Sequence, residues 1–207
     1  MQWVVVGLGN PGLEYEDTRH NTGRMMLEAF RVAEMLPEWK EDKKLNALVS
    51  KGSVSGGNGQ VSLILPNTFM NKSGEAVKNF PGSIFKFQGK GKDKEITNLA
   101  VIHDDLDIPF GSYKISFNKS AGGHRGVLSV IRALKSQAFV RIRVGISPVT
   151  KSGKIRKPQG DRNVERHILG TLTPKEHAAF KRISKRIAEG IAVLVTEGRE
   201  KAMSQFN

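Results

Sequence analysis

The chain opens on an unbroken apolar run, Trp3-Val4-Val5-Val6, within residues 2–8. Continuous apolar character over so short a stretch predicts a strand buried on both faces. A glycine turn and a polar loop follow as far as Asn21. Met26, Phe30, Ala33 and Leu36 then recur at helical spacing and predict a helix over 22–36. Strands are predicted near 47–54 and 60–65, joined by the hairpin signal Gly56-Gly57-Asn58-Gly59. A helix is expected over 73–80, a buried strand over 99–103 ending in Asp104 and Asp105, and another strand over 111–117. Residues 118–123 read as a flexible loop, 125–134 as a helix and 139–146 as a strand. Residues 89–94 and 151–161 are basic and turn-rich, and read as loops.

The last long helix has the clearest start. Thr173 caps it, Pro174 suits the first turn and Glu176 completes a capping box. Phe180, Ile183, Ile187, Ile191 and Leu194 line one face, while Lys181, Arg182, Lys185 and Arg186 fall largely elsewhere. Helices and strands intermix along the whole length. The hairpin and the tight link over 107–111 add antiparallel pairing. The expected fold is a single α/β domain over 1–207, a mixed twisted β-sheet flanked by helices on both faces.

Composition narrows the chemistry. The 207 residues contain no cysteine, which removes disulfides, zinc-thiolate sites and cysteine nucleophiles together. No stretch approaches the roughly 20 apolar residues of a membrane helix, so no membrane partner is expected. The first residues lack the order of a signal peptide. The expected compartment is the cytoplasm, with the mitochondrial matrix or another organelle as the alternative, and a monomer is expected.

Charge changes the picture most. There are 33 Lys and Arg against 20 Asp and Glu, a net +13. A surplus of this size favours a polyanionic partner. Between Lys114 and Arg166 stand thirteen basic residues, opposed only by Asp161 and Glu165. A surplus held in one segment can make a one-sided patch.

One motif misleads. Gly7-Leu-Gly9-Asn-Pro-Gly12 fits the spacing of a dinucleotide fingerprint. In that motif, however, the glycines open a helix that holds the pyrophosphate. Here the helix begins only near Thr22, so a sharply turned strand end carrying Asn10 is the better reading. No G-x-S-x-G elbow and no H-E-x-x-H is present. The run His103-Asp104-Asp105-Leu106-Asp107 offers oxygen atoms to a metal, but solvated loop carboxylates explain it more simply, and no metal is assigned. A His–Asp pair is more economical. Loops at strand ends gather on one side of an α/β sheet. That brings together Asn10 and His20 after the first strand and Asp104 after His103. An Asp that accepts a hydrogen bond from one imidazole nitrogen fixes the tautomer and frees the other nitrogen to take a proton from water.

Five segments now become recognisable. Residues 6–12 (Val-Gly-Leu-Gly-Asn-Pro-Gly), with Tyr15 and Thr18-Arg19-His20-Asn21, resemble the opening signature of the bacterial-type peptidyl-tRNA hydrolases. Residues 66–74 (Pro-Asn-Thr-Phe-Met-Asn-Lys-Ser-Gly) resemble the second signature. Residues 103–109, 122–126 and 141–146 resemble the later ones. They occur in the family order and span nearly the whole chain.

The resemblance implies hydrolysis of the ester between peptide and tRNA, with free peptide and reusable tRNA as products. It implies His20 as the general base and Asp104 as its support. Asn10 and Asn71 would position the peptide and terminal ribose, with Tyr15, Asn21 and Met70 as further substrate-side residues. No metal or organic cofactor is implied. Because tRNA sequences vary, phosphate contacts should dominate. Lys114, Arg141, Arg143 and the basic face of the last helix are the candidates, with 151–157 as an added clamp. Arg125 departs from the family pattern, which usually carries Asn there. Its expected role is to reach the 3′-end phosphates of tRNA. The competing reading is a non-catalytic RNA-binding relative of the family, akin to organellar splicing factors.

Overall fold

The structure, a computed structural model, describes residues 2–57, 59–81, 84–89, 91 and 94–207. β1 (Gln2–Gly7) explains its own apolar run. Trp3 and Val5 face one hydrophobic cluster, and Val4 and Val6 face a second on the other side. A strand between two covered faces has no polar side, so its sequence cannot alternate.

β1 is flanked by β4 (Gln60–Pro66) and β7 (Leu99–Pro109), both parallel to it. β9 (Val140–Ser147) continues the parallel set beyond β7. Antiparallel strands close both edges. β3 (Ala47–Ser53) and β2 (Lys40–Asp42) lie beyond β4, and β8 (Tyr113–Phe117) lies beyond β9. The order across this seven-stranded sheet is β2-β3-β4-β1-β7-β9-β8, and β5 (Phe87–Gln88) pairs separately with β6 (Glu95–Ile96). α1 (Thr22–Ala33) and α5 (Pro174–Glu197) cover one face through Met26, Leu27, Phe30, Ile187, Ile191 and Leu194. α2 (Ser73–Asn79) and α3 (Arg125–Leu134) cover the other through Ala76, Val77, Val127 and Val130. Each fully buried aliphatic side chain contributes about 1.5–3 kcal/mol. The mixed sheet with helices on both faces is the fold expected from the sequence.

Several boundaries differ, each for a physical reason. α1 stops at Ala33 rather than 36. Met35 takes φ +50°, and the amides of Met35 and Leu36 turn back to the carbonyls of Val32 and Arg31. This is a Schellman cap, and Pro37 behind it disfavours any extension. β7 does not end at His103 but runs to Pro109. The short link after it does not make β7 and β8 neighbours either, because β9 lies between them and takes the antiparallel partner instead. β9 is buried along nearly its whole length and sits in the interior, whereas β8 is half exposed and suits an edge. Two helices were not anticipated, α4 (Asp161–Ile168) and α6 (Arg199–Phe206). The expected turn at Asn58 and half of the basic loop at 89–94 (Lys90, Lys92 and Asp93) lie outside the described residues.

The capping box at α5 is present. Thr173 Oγ1 accepts from the Glu176 amide at 3.3 Å, and the Glu176 carboxylate accepts from the Thr173 amide at 2.8 Å. Beyond α5 and α6, Asn207 acts as a mock strand for β8. Its side chain accepts from the Ile115 amide at 2.7 Å and donates to the Ile115 carbonyl at 3.0 Å.

Candidate active site

β1 ends at Gly7, opposite Ile102 of β7. β7 continues, so its flank beyond Ile102 is left open for other groups. The start of α1 fills this space. A Cβ on Gly23 would collide with backbone atoms of Leu8 and Ile102, so only glycine lets the helix approach the strand ends this closely. Just before it, the turn Arg19–Asn21 carries His20. That turn is clamped from α5: the Arg19 guanidinium donates two bonds of 2.8 Å to the Glu176 carboxylate and one of 3.1 Å to the Gly170 carbonyl. The capping glutamate of α5 therefore also fixes the position of His20.

His20 and Asp104 meet as the sequence led one to expect. Nδ1 of His20 lies 3.0 Å from both carboxylate oxygens of Asp104, and both residues are buried. A second imidazole, which the sequence did not assign, shares this carboxylate. Nε2 of His124 lies 2.8 Å from Asp104 Oδ1. Its tautomer follows from its other nitrogen. Nδ1 accepts a hydrogen bond from the Val127 amide at 3.2 Å while capping α3, so the ring proton sits on Nε2 and is donated to Asp104. With Asp104 as acceptor, His20 carries its proton on Nδ1, and its Nε2 is a free lone pair.

The electrostatics follow this arrangement. Burial alone would push the Asp104 carboxyl up, but the two imidazoles beside it hold it well below the usual carboxylate range. For His20, burial lowers the affinity for a proton, and the charge and hydrogen bond of Asp104 outweigh it. The net direction is upward, with Arg125 opposing. His103, next in sequence, is fully enclosed and pushed down to about 3, first by burial and then by His124. It stays a neutral ring whose Nδ1 donates to the Asp104 carbonyl at 2.8 Å.

Among the described residues His20, Asp104 and His124 form a group with the residue types of a metal site. The tautomers argue against that use. Both ring nitrogens facing Asp104 present protons, and a metal would have to displace both.

The pair opens into a cavity of about 560 Å³. Asn10, Met70, Asn71 and Arg125 line it with His20 and Asp104. Asn10 is held rigidly: Asn21 bonds its backbone amide at 2.8 Å and its carbonyl at 2.9 Å, and its own Oδ1 accepts from the Met70 amide at 2.8 Å. That leaves the Asn10 Nδ2 as the donor facing the cavity. Asn21 thus braces Asn10 from outside the lining, and Tyr15 also stands outside it, edge-on to Phe69. Met70 both packs in the core and lines the wall. α4 forms a further part of the wall, contributing Val164 and Ile168 one turn apart, followed by Leu169.

The basic candidates separate. Lys114 is exposed and lies directly across from Arg143 in the β8–β9 ladder. Arg143 is engaged by Asp105 at 2.7 Å. Arg141 does not fit the expected phosphate contact. It is 1% exposed, lies beneath the loop before α3 and donates to the Ser120 carbonyl at 2.8 Å. Burial pushes its guanidinium down to about 10. Alternation along a strand put Arg141 and Arg143 on one face, but the loop covers only the first.

Comparisons with known proteins identify the family. The family model for peptidyl-tRNA hydrolase matches residues 4–207. A peptidyl-tRNA hydrolase of Brevibacillus brevis is 37% identical over 204 residues, covering 99% of this chain and 97% of that one. One of Carboxydothermus hydrogenoformans is 37% identical over 205 residues, covering 99% and 98%. A crystal structure of peptidyl-tRNA hydrolase from Acinetobacter baumannii superposes with a TM-score of 0.81 at 27% identity, covering 99% of this chain and 94% of that one. No helix among the described residues is long and apolar enough to cross a membrane. With a family model and relatives matching essentially end to end, the chain belongs to the peptidyl-tRNA hydrolase family.

Proposed function

We propose that the chain hydrolyses the ester bond of peptidyl-tRNA by general-base catalysis at His20. The observation that carries this reading is the His20–Asp104 contact at 3.0 Å, with the second imidazole nitrogen left free in a substrate-sized cavity. Nε2 takes a proton from water as the water oxygen attacks the ester carbonyl carbon. Asp104 stabilises the imidazolium that forms, without itself taking the proton. Collapse of the tetrahedral intermediate expels the 3′-oxygen of the terminal ribose, which recovers a proton from Nε2. The peptide leaves with a free carboxylate and the tRNA with its hydroxyl.

Asn10 Nδ2 and the Asn71 amide suit contacts to peptide carbonyls and ribose hydroxyls, which every substrate shares. Val164, Ile168 and Leu169 offer an apolar wall that asks for no particular side chain. Exposed Lys114 and the basic face of α5 suit the phosphate backbone. A positioned base contributes about 10²–10⁴-fold, so holding the ester against water must supply much of the rest. The test is release of peptide from an N-blocked aminoacyl-tRNA by the purified protein. Absence of release under conditions where the tRNA binds would overturn the reading in favour of an RNA-binding role alone.

A further inference from the structure

The cavity has an uneven charge distribution. Among the described residues five carboxylates line it: Asp104, Asp105, Asp107, Asp161 and Glu165. Three of them are occupied. Asp104 accepts from two imidazoles, Asp105 is paired with Arg143, and Asp107 is paired with Lys157. Asp161 and Glu165 lie one turn apart on α4, a helix that also packs against the turn carrying His20. Against all of these, Arg125 is the only Lys or Arg that the described residues bring to the lining. Its side chain is exposed, and its guanidinium takes no part in the hydrogen bonds and ion pairs found among the described residues. It adjoins His124, and its charge is felt at His20.

A polyanionic substrate must still place its reacting ester beside His20. The phosphodiester nearest that ester is separated from it by a single ribose, so it cannot avoid the cavity mouth. On the α4 side it would meet Asp161 and Glu165, which have no ion-pair partner among the described residues. On the α3 side it meets the one unengaged guanidinium, a group whose planar fork matches two phosphate oxygens. We propose that Arg125 binds the phosphodiester joining the terminal nucleoside to the rest of the tRNA, and so sets the polarity of the substrate, with nucleic acid at the α3 end and peptide along α4. This deepens the hydrolase reading and rests on it.

The test pairs a protein change with a substrate change. Steady-state kinetics are measured for wild type, Arg125→Ala and Arg125→Lys on N-acetyl-aminoacyl-tRNA. A second substrate carries an uncharged methylphosphonate at that one linkage. Arg125→Ala should raise KM about tenfold on the ordinary substrate, the size expected for one charge-assisted hydrogen bond, with a much smaller change in kcat. The methylphosphonate should cost wild type a similar factor and cost Arg125→Ala nothing further, and Arg125→Lys should fall between. The slope of log affinity against log salt should drop by about 0.7 in Arg125→Ala, as for one single-stranded phosphate. Equal losses from the methylphosphonate in wild type and Arg125→Ala would overturn the proposal, as would an unchanged KM and slope in the variant. Either result leaves the hydrolase reading standing so long as wild type turns over the ordinary substrate; failure there overturns both.

Discussion

Nε2 of His124 lies 2.8 Å from Oδ1 of Asp104, the same carboxylate that receives Nδ1 of His20 at 3.0 Å. One buried anion thus serves two imidazoles, and only His20 keeps a free nitrogen toward the cavity. Because His124 also donates a hydrogen bond to the carboxylate, it tempers how strongly Asp104 holds a proton on His20. His124→Ala should therefore shift the acid limb of kcat/KM to higher pH as well as lower kcat. His124→Gln retains an N–H donor and should recover much of both effects. A His124→Ala enzyme with an unchanged acid limb would place the residue outside this network.

The pH profile of the unaltered protein carries its own sign. His20 must be neutral to take a proton from water, and Asp104 raises its affinity for protons above the ordinary imidazole value of 6.5 despite burial. Activity should fall as pH drops through a midpoint above 6.5. His124 also faces this ring, and the charge of Arg125 bears the other way, so Arg125→Ala should move the midpoint further up. An acid limb at or below 6.5 in the unaltered protein would contradict this electrostatic picture.

Salt dependence separates the basic residues. Lys114→Glu should weaken binding of all tRNAs alike and flatten the salt slope by about 0.9 for each duplex phosphate left without its cation. Arg141→Gln should leave that slope unchanged, because the side chain lies under the loop at Ser120 and not at the surface. Arg143→Ala should weaken binding more than removal of a single cation would, since it also frees the Asp105 carboxylate that Arg143 now holds at 2.7 Å. Filter-binding titrations across salt concentrations read all three.

Chelation distinguishes a proton network from a metal centre. His124 presents a proton to Asp104 because the Val127 amide occupies its other nitrogen. Hydrolysis should accordingly survive dialysis against excess chelator at full rate. Loss of activity restored by a divalent ion would show that His20, Asp104 and His124 act as ligands instead.

Much of this was legible in the residues, and the gaps have physical causes. The all-apolar Trp3–Val6 run announced a central strand, and Thr173, Pro174 and Glu176 announced the start of α5, because patterning and capping are local. The meeting of His20 with Asp104 was legible through the family resemblance, with the gathering of strand ends as its physical basis. His124 was overlooked as a partner of Asp104 because that hydrogen bond depends on how α3 is seated, which no local spacing encodes. α4 was missed because it buries no residue fully, and its short apolar face, Val164 and Ile168, looks like chance within a charged stretch. Arg141 misled for the opposite reason: in a basic segment a guanidinium under a loop reads the same as one in solvent.

If a free nitrogen on His20 activates water, single-turnover release of peptide from N-acetyl-aminoacyl-tRNA by His20→Ala must be slow. The rate should fall by about 10²–10⁴-fold or more, with tRNA affinity essentially that of the unaltered protein, because the base acts on water and not on phosphate. A His20→Ala enzyme that releases peptide at the unaltered rate would contradict this role for His20.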